Sequence, residues 1–307
     1  MKILNLGSLN IDYVYQVDKF ILPGETKSSL SLNVNCGGKG LNQSIAAAKA
    51  GNEVYHAAFL GYDGAMLKEA MAENGVNVDM IKDSEETSGH AIIQVESSGQ
   101  NCILLYGGTN QCLTKDYIDE VLDSFGNEGL VLLQNETNLV DYIIDSAHDR
   151  GLQVALNAAP MNGKVLTYPL EKLSWLIVNE VEGKQIAECE KDEEIIDILK
   201  VKYPDCNILL TLGSRGACCY SEGVLHEIGC YKVDVVDTTA AGDTFTGYFL
   251  YGMLNKLSID ESLRLATTAS AICVGRNGAA VSVPLKSEVD EVIKSGVYGI
   301  LEIKTTK

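Results

Sequence analysis

The feature that most constrains the fold is an alternation carried along most of the chain. Short apolar runs of strand length are each followed by a stretch with helical spacing. Such alternation builds βαβ units, and these assemble a parallel sheet with helices on its faces. The runs Ile3–Gly7, Glu53–Phe59, Gly129–Gln134, Gln153–Asn157, Trp175–Val178, Asn207–Leu212 and Val233–Val236 predict core strands. The spacing predicts helices over Leu41–Ala50, Ala65–Asn74, Leu139–Arg150, Glu193–Tyr203, Thr244–Asn255 and Ile259–Val274. With 307 residues, 46% of them hydrophobic, the chain has material for one large α/β domain, residues 1–307, with an appendage. No internal repeat or low-complexity linker divides it.

Two segments, 13–36 and 90–108, break the alternation. Val14–Val17 and Ser29–Val34 have the period-two character of strands, and Ala91–Val95 and Cys102–Tyr106 flank the hairpin turn Ser97-Ser98-Gly99-Gln100. Four strands inserted in two pieces predict a small antiparallel sheet beside the main domain. Ordinary surface hairpins are the alternative.

The balance of 24 basic against 42 acidic side chains, net −18, argues against nucleic acid or an anionic membrane as partner. An acidic surface near an anionic nucleotide also points to an accompanying divalent cation. The first apolar run is short and ends in glycine, which reads as a buried strand rather than a targeting signal, and no run approaches the ~20 apolar residues of a membrane span. The nine cysteines are odd in number and lack metal-like spacing. Adjacent Cys218 and Cys219 lie in a strand-like run and would point to opposite faces, which suits reduced core packing and a cytoplasmic location. None of the four histidines has a clear partner in the sequence, and none is assigned to chemistry.

The run Val235-Val236-Asp237-Thr238-Thr239-Ala240-Ala241-Gly242-Asp243-Thr244-Phe245 carries the chemistry. It predicts a strand end, a turn of small residues and a helix start. Ala240, Ala241 and Gly242 have little or no side chain, so their N–H groups can face one point at a helix N-terminus, where an anion is stabilised. Asp243, beside that point, is placed to take a proton from a hydroxyl attacking a phosphate. As an isolated Gly-Asp-Thr, the same residues also read as a helix cap.

Other clusters are weaker when taken alone. Asn35-Cys36-Gly37-Gly38-Lys39-Gly40-Leu41-Asn42-Gln43 allows close backbone approach to a ligand, but no Ser or Thr follows Lys39 and position 33 is Asn, so it is not a P-loop. No Gly-x-Gly-x-x-Gly follows the first strand, which removes the main argument for a dinucleotide dehydrogenase. Asn10 and Asp12, two apart on an extended segment, point the same way and can grip a pair of hydroxyls, or serve a turn. Glu136 follows a strand end, where ligands of α/β folds bind. Asn179 and Glu182 read as an acidic helix start, and Thr211-Leu212-Gly213-Ser214-Arg215-Gly216 as a strand end turning into a hairpin with Ala217–Ser221.

In order along the chain, these motifs resemble those of the ribokinase and fructokinase superfamily of carbohydrate kinases, from Gly7 to Pro284. Asp237 to Phe245 resembles its ribose-phosphorylating branch in particular. The resemblance implies an α/β fold with a central, mostly parallel sheet flanked by helices. It also implies a β lid over the sugar, through which two copies form a homodimer. Asp243 is then the catalytic base, and Ala240, Ala241 and Gly242 the anion hole. Asn10, Asp12, Gly38, Lys39, Asn42 and Glu136 are sugar contacts. Asn179, Thr211, Gly213, Ser214, Arg215, Gly216, Gly242 and Thr267 lie at the ATP side. Glu182 organises Mg²⁺ indirectly, through water. Asp237, Thr239, Cys273, Arg276, Gly278 and Ser282 line a site for a monovalent cation, K⁺.

The expected activity is transfer of the γ-phosphate of ATP to the primary hydroxyl of a small sugar, ribose to ribose 5-phosphate. The alternatives are another acceptor (deoxyribose, fructose, a nucleoside or a keto-acid sugar) or a non-catalytic sugar or nucleotide sensor.

Overall fold

The computed structural model describes residues 1–306. The chain opens with β1 (Ile3–Leu6), β2 (Asn10–Val17), β3 (Ser31–Gly37), α1 (Lys39–Lys49), β4 (Val54–Leu60), α2 (Ala65–Glu73) and β5 (Asn77–Asp83). It continues through β6 (Gly89–Glu96), β7 (Asn101–Tyr106), α3 (Lys115–Phe125), β8 (Leu130–Gln134), α4 (Val140–Asp149), β9 (Gln153–Asn157), β10 (Trp175–Asn179), α5 (Glu180–Ala187) and α6 (Ile195–Lys202). It closes with β11 (Asn207–Thr211), β12 (Ala217–Ser221), β13 (Val224–Ile228), α7 (Ala241–Leu254), α8 (Ile259–Val274), α9 (Lys286–Ser295) and β14 (Ile303–Thr306).

The main sheet has ten strands in the order β14-β13-β12-β11-β10-β9-β8-β1-β4-β5. Every pairing from β5 to β11 is parallel, and from β11 to β14 antiparallel. Alternate strand residues serve two separate cores, as the period of two requires. Ile3, Leu130, Leu132 and Leu209 pack with Leu41, Ile45, Leu67, Phe249, Leu263 and Val289, which belong to α1, α2, α7, α8 and α9. Leu4, Val131, Leu133 and Leu210 pack with Ile118, Ile143, Ile186 and Leu199 of α3 to α6. The sheet is therefore covered on both faces, which explains the near-continuous apolar character of its parallel strands.

A second sheet, β3-β2-β6-β7, is built from the two segments that interrupt the alternation. Its outer pairs are antiparallel, and β2 and β6 run parallel across its middle.

One predicted strand is absent. Residues 233–236 form no strand, and Val235 and Val236 are 62% and 53% exposed. Two adjacent β-branched residues signal a strand only where a neighbour can pair with them. Here the regular tie among the described residues is Val236 N–H, with that of Asp237, to Val274 O of α8. The helix after them starts at Ala241 rather than Thr244 and stops at Leu254. The predicted Glu193–Tyr203 helix is a 3₁₀ turn followed by α6. Helices α3 and α9 and strands β5, β13 and β14 go beyond the elements predicted from the sequence.

Candidate active site

Chain order reverses across β1, whose neighbours are β4 and β8, and such a switch point leaves a crevice beyond the strand C-termini. Two helices bring their N-termini there. Gly247 of α7 lies against α1 so closely that a Cβ would sit 2.6 Å from Ala46 Cβ and from Ala47 N. One turn earlier on each helix, Asp243 meets Asn42 and Gln43. Asn42 Nδ2 donates to Asp243 Oδ2 at 3.2 Å, and Gln43 Nε2 donates to Oδ1 at 2.9 Å.

Asp243 is 7% exposed and occupies the third position of α7, not its cap, which is Ala240 at φ 60°. Its carboxylate makes no bond to its own helix end, so the capping reading falls. The amides beside it are partly committed: Ala241 N–H donates to Thr238 O at 3.2 Å. Among the described residues, the N–H groups of Ala240, Gly242 and Asp243 have no acceptor. Two of the predicted trio, Ala240 and Gly242, are thus free, and Asp243 takes the place of Ala241, whose N–H closes the turn onto Thr238.

Asn10 and Asp12 sit not at the end of β1 but on β2, the strand that leaves the site for the small sheet. Asn10 Oδ1 accepts from Asn110 Nδ2 at 2.7 Å, and Asn110 also brackets Leu9 through its N–H and carbonyl. Only the Asn10 NH₂ is left to meet a ligand. The Asp12 carboxylate packs against Gly37, and burial above all, then the charge of Glu136, pushes it up to about 7.

Glu136 Oε2 accepts from Ser8 Oγ and, at 2.9 Å, from Lys39 N–H at the start of α1. Burial pushes this carboxyl up as well. Gly38, the α1 N-cap, has φ 92°, and a Cβ there would crowd Ser8 O and Asn10 N. That left-handed backbone is what lets β3 turn directly into α1.

A cleft of about 180 Å³ continues from Asp243, lined by Lys39, Asn157, Asn179, Glu182, Thr211, Thr238, Ala240, Gly242 and Thr246 among others. The Lys39 ammonium has no hydrogen-bond partner among the described residues. Asp243 foremost, with Glu136 and Glu182, pushes it up from its ordinary value against the effect of burial. A fixed cation in a cleft floored by helix N-termini can neutralise a polyanion. Asn179 and Glu182 form a capping box on α5. Asn179 Oδ1 accepts from Val181 and Glu182 N–H, while the Glu182 oxygens take Asn179 N–H at 2.8 Å and Nδ2 at 2.9 Å. Both Glu182 oxygens are engaged, which fits an influence on a hydrated magnesium ion rather than direct coordination.

The structure brings Asp237, Thr239, Cys273, Gly278 and Ser282 together. Asp237 Oδ1 accepts from Thr239 N–H at 2.9 Å and Thr239 Oγ1 at 2.6 Å, and Oδ2 accepts from Gly278 N–H at 3.0 Å. Burial alone would push Asp237 up, but these bonds together hold its carboxyl below the ordinary range. Cys273 Sγ lies 3.0 Å from Ser282 Oγ. Carboxylate, hydroxyl and carbonyl oxygens are the donors an alkali cation takes. The Arg276 side chain leaves this group for Glu288.

Other predicted residues stand apart. Gly213, Ser214 and Arg215 form a short turn after β11, outside the cleft lining, with Arg215 paired to Asp192; Gly216 follows at φ 103°. Thr267 is buried on α8, its hydroxyl without a partner among the described residues, and also lies outside the lining. A larger cavity, about 430 Å³, lies at the opposite end of the sheet, by Leu130, Gln153, Trp175 and Asn207 at the strand starts, far from this chemistry. All four histidines have a polar neighbour, with His90 Nδ1 3.4 Å from Ser88 O and His148 Nδ1 3.5 Å from Asp149 Oδ1. His226 Nδ1 lies 2.6 Å from Asp260, and His56 is enclosed between Ser44 and Gly7.

Sequence reading missed Gln43 and Asn110. Gln43 carried a signal, standing next to Asn42 and four residues before Ala47. Asn110 carried none, since its contacts join segments a hundred residues apart.

Comparison with known proteins agrees with this geometry. Residues 1–286 match the family described as pfkB family carbohydrate kinase. The chain is 34% identical over 300 residues to the ribokinase of Haemophilus influenzae, covering 94% of this chain and 97% of that one. It is similar in structure to the ribokinase of Thermotoga maritima, with TM-score 0.85 at 30% identity over 95% of this chain and 99% of that one. It is likewise similar to Arabidopsis thaliana ribokinase complexed with ribose and ATP, with TM-score 0.84 at 29% identity over 95% and 98% of the two chains.

Proposed function

The chain belongs to the pfkB family of carbohydrate kinases, and on that premise we propose that it is an ATP-dependent ribose kinase. The observation that carries this reading is Asp243, a buried carboxylate clasped by Asn42 and Gln43 and opening on a cleft with free helix N-terminal amides.

Asp243 accepts the proton of the primary hydroxyl as that oxygen bonds to the γ-phosphorus. The bond from the γ-phosphorus to the bridging oxygen breaks, and its electrons leave on ADP. The Asn10 amide donates to one sugar hydroxyl; Asp12 and Glu136 accept from others, with Gly38 and Asn42 closing round the ring. Lys39, contacting sugar through its backbone region, directs its ammonium at the migrating phosphoryl group. The free amides of Ala240, Gly242 and Asp243 supply the remaining stabilisation, which is worth most where charge develops in a dry site. Asn179, Thr211 and the 213–216 turn border the nucleotide, with Thr267 behind. Glu182 would hold magnesium through water, and that ion would neutralise charge on the phosphates. Asp237, Thr239, Cys273, Gly278 and Ser282, with the backbone near Arg276, would hold potassium and so order the loop leading to Ala240.

The small sheet acts as a lid over the sugar. Its strands leave Leu32, Val34, Leu104 and Tyr106 exposed, an apolar surface suited to a second copy of this chain. Nine free cysteines suit a reducing compartment, the cytoplasm; among the described residues no helix is long and apolar enough to cross a membrane.

The test is ATP-dependent ADP release across a panel of sugars, with and without potassium. Ribose is expected to give the highest kcat/KM, with a further rise in potassium. Preference for deoxyribose, fructose, a nucleoside or a keto-acid sugar would replace the acceptor. Absence of turnover on every sugar would overturn the reading in favour of a sensor.

A further inference from the structure

Behind Asp243 runs a buried chain of side chains that the reaction itself never touches. Gln43, which donates to Asp243 Oδ1, accepts at Oε1 from Gln134 Nε2 at 2.8 Å. Gln134 Nε2 also donates to Asn5 Oδ1 at 3.2 Å. Asn5 Nδ2 in turn donates to Gly40 O at 2.8 Å and Ser44 Oγ at 2.9 Å. Ser44 Oγ lies 2.8 Å from His56 Nδ1, and His56 Nε2 lies 3.2 Å from Gly7 O. Asn5, Gln43, Ser44, His56 and Gln134 are all fully buried.

The direction of every bond is forced from the far end. Gly7 O can only accept, so His56 carries its proton on Nε2 and accepts from the Ser44 hydroxyl at Nδ1. Burial pushes His56 down to about 4, which keeps it neutral. Gly40 O can only accept, so Asn5 turns its NH₂ that way and presents Oδ1 to Gln134. Gln134 must then offer NH₂ to both Asn5 and Gln43, leaving its own Oε1 buried without a partner among the described residues. An orphaned buried acceptor is rare enough to need a reason. The reason here is that Gln43, with its carbonyl held by Gln134, has no orientation open but NH₂ toward the Asp243 carboxylate.

We propose that Gln134 is a positioning residue for the phosphoryl-transfer reaction: through Gln43, anchored by Asn5, Ser44 and His56, it fixes the Asp243 carboxylate toward the attacking hydroxyl. This rests on Asp243 being the base. A loosened base costs turnover more than binding, because misplacement is felt in the transition state.

The experiment compares Gln134→Met, Gln43→Met, the double variant and Asp243→Asn for kcat, for KM of ribose and ATP, and for melting temperature. Gln134→Met should lower kcat about ten- to hundredfold with both KM values nearly unchanged. In the Gln43→Met background it should lower kcat no further, since its effect passes through Gln43. If Gln134→Met does not fold, Gln134→Leu, which likewise has no donor to offer Gln43, carries the same comparison. Wild-type kcat in the Gln134 variant, or an equal loss added on top of Gln43→Met, overturns the proposal while an inactive Asp243→Asn leaves the base in place. Wild-type turnover of Asp243→Asn removes the base, and this inference with it.

Discussion

Gln43 donates a 2.9 Å hydrogen bond to the carboxylate of Asp243, 200 residues further along the chain. The contact exists because α1 and α7 run past each other in the same direction, touching at Gly247 and Ala46 one turn further on. Their N-termini therefore end side by side, and two positive helix ends face one cleft. A site that gathers negative charge during a reaction needs such a floor.

Gly247→Ala tests this seam. A methyl 2.6 Å from Ala46 Cβ and Ala47 N must push the helices apart. Overpacking of this kind costs about 1–3 kcal/mol, and the shift would carry Asn42 and Gln43 away from Asp243. A lower melting temperature and a fall in kcat exceeding any rise in KM are expected; an Ala variant matching wild type in both would contradict the seam.

Asp12 predicts a pH dependence. Its carboxyl is raised from 3.8 to about 7, so between those values it is protonated in the folded chain and ionised in the unfolded one. Its contribution to stability therefore falls as pH rises from about 4 to about 7. A sugar hydroxyl donating to the ionised form works the other way. The KM for ribose should fall by up to about tenfold from pH 6 to pH 8, and ribose should raise the melting temperature more at pH 8. In Asp12→Asn both trends should flatten, and a pH-independent KM in the native chain would count against the assignment.

Lys39→Met removes a cation placed among Asp243, Glu136 and Glu182. The kcat/KM for ATP should fall about 10²–10³-fold, the scale of losing one electrostatic contact to a transferring group. Unchanged dependence on ATP would return Lys39 to a purely sugar-side role.

Leu104→Asp places a charge on β7, an exposed strand of the small sheet. Light scattering should show the native chain as a dimer and the variant as a monomer. A monomeric native chain would remove the proposed interface through the small sheet.

The parallel core was legible because strands buried on both faces must read as apolar runs between helices, and Ile3–Gly7 and Gln153–Asn157 do. Val235 and Val236 show the limit: β-branched pairs promise a strand, but no neighbouring edge receives them. At the site, Asp243, Asn42 and Glu136 were readable as local motifs. The Asp243–Gln43–Gln134–Asn5 chain was not, because it joins four elements through side chains, and buried amides leave no period in a sequence. Of the predicted amides Ala240 and Gly242 are free, while Ala241 is spent on Thr238 O and Asp243 stands free instead, since small residues allow a helix to begin anywhere among them.

The most direct measurement is kcat for Asp243→Asn with ribose and ATP, alongside calorimetric binding of a non-hydrolysable ATP analogue. The account predicts a folded protein that binds the nucleotide within about twofold of wild type, while kcat falls about 10²–10⁴-fold, the usual cost of losing a general base. Turnover near the wild-type rate would contradict it.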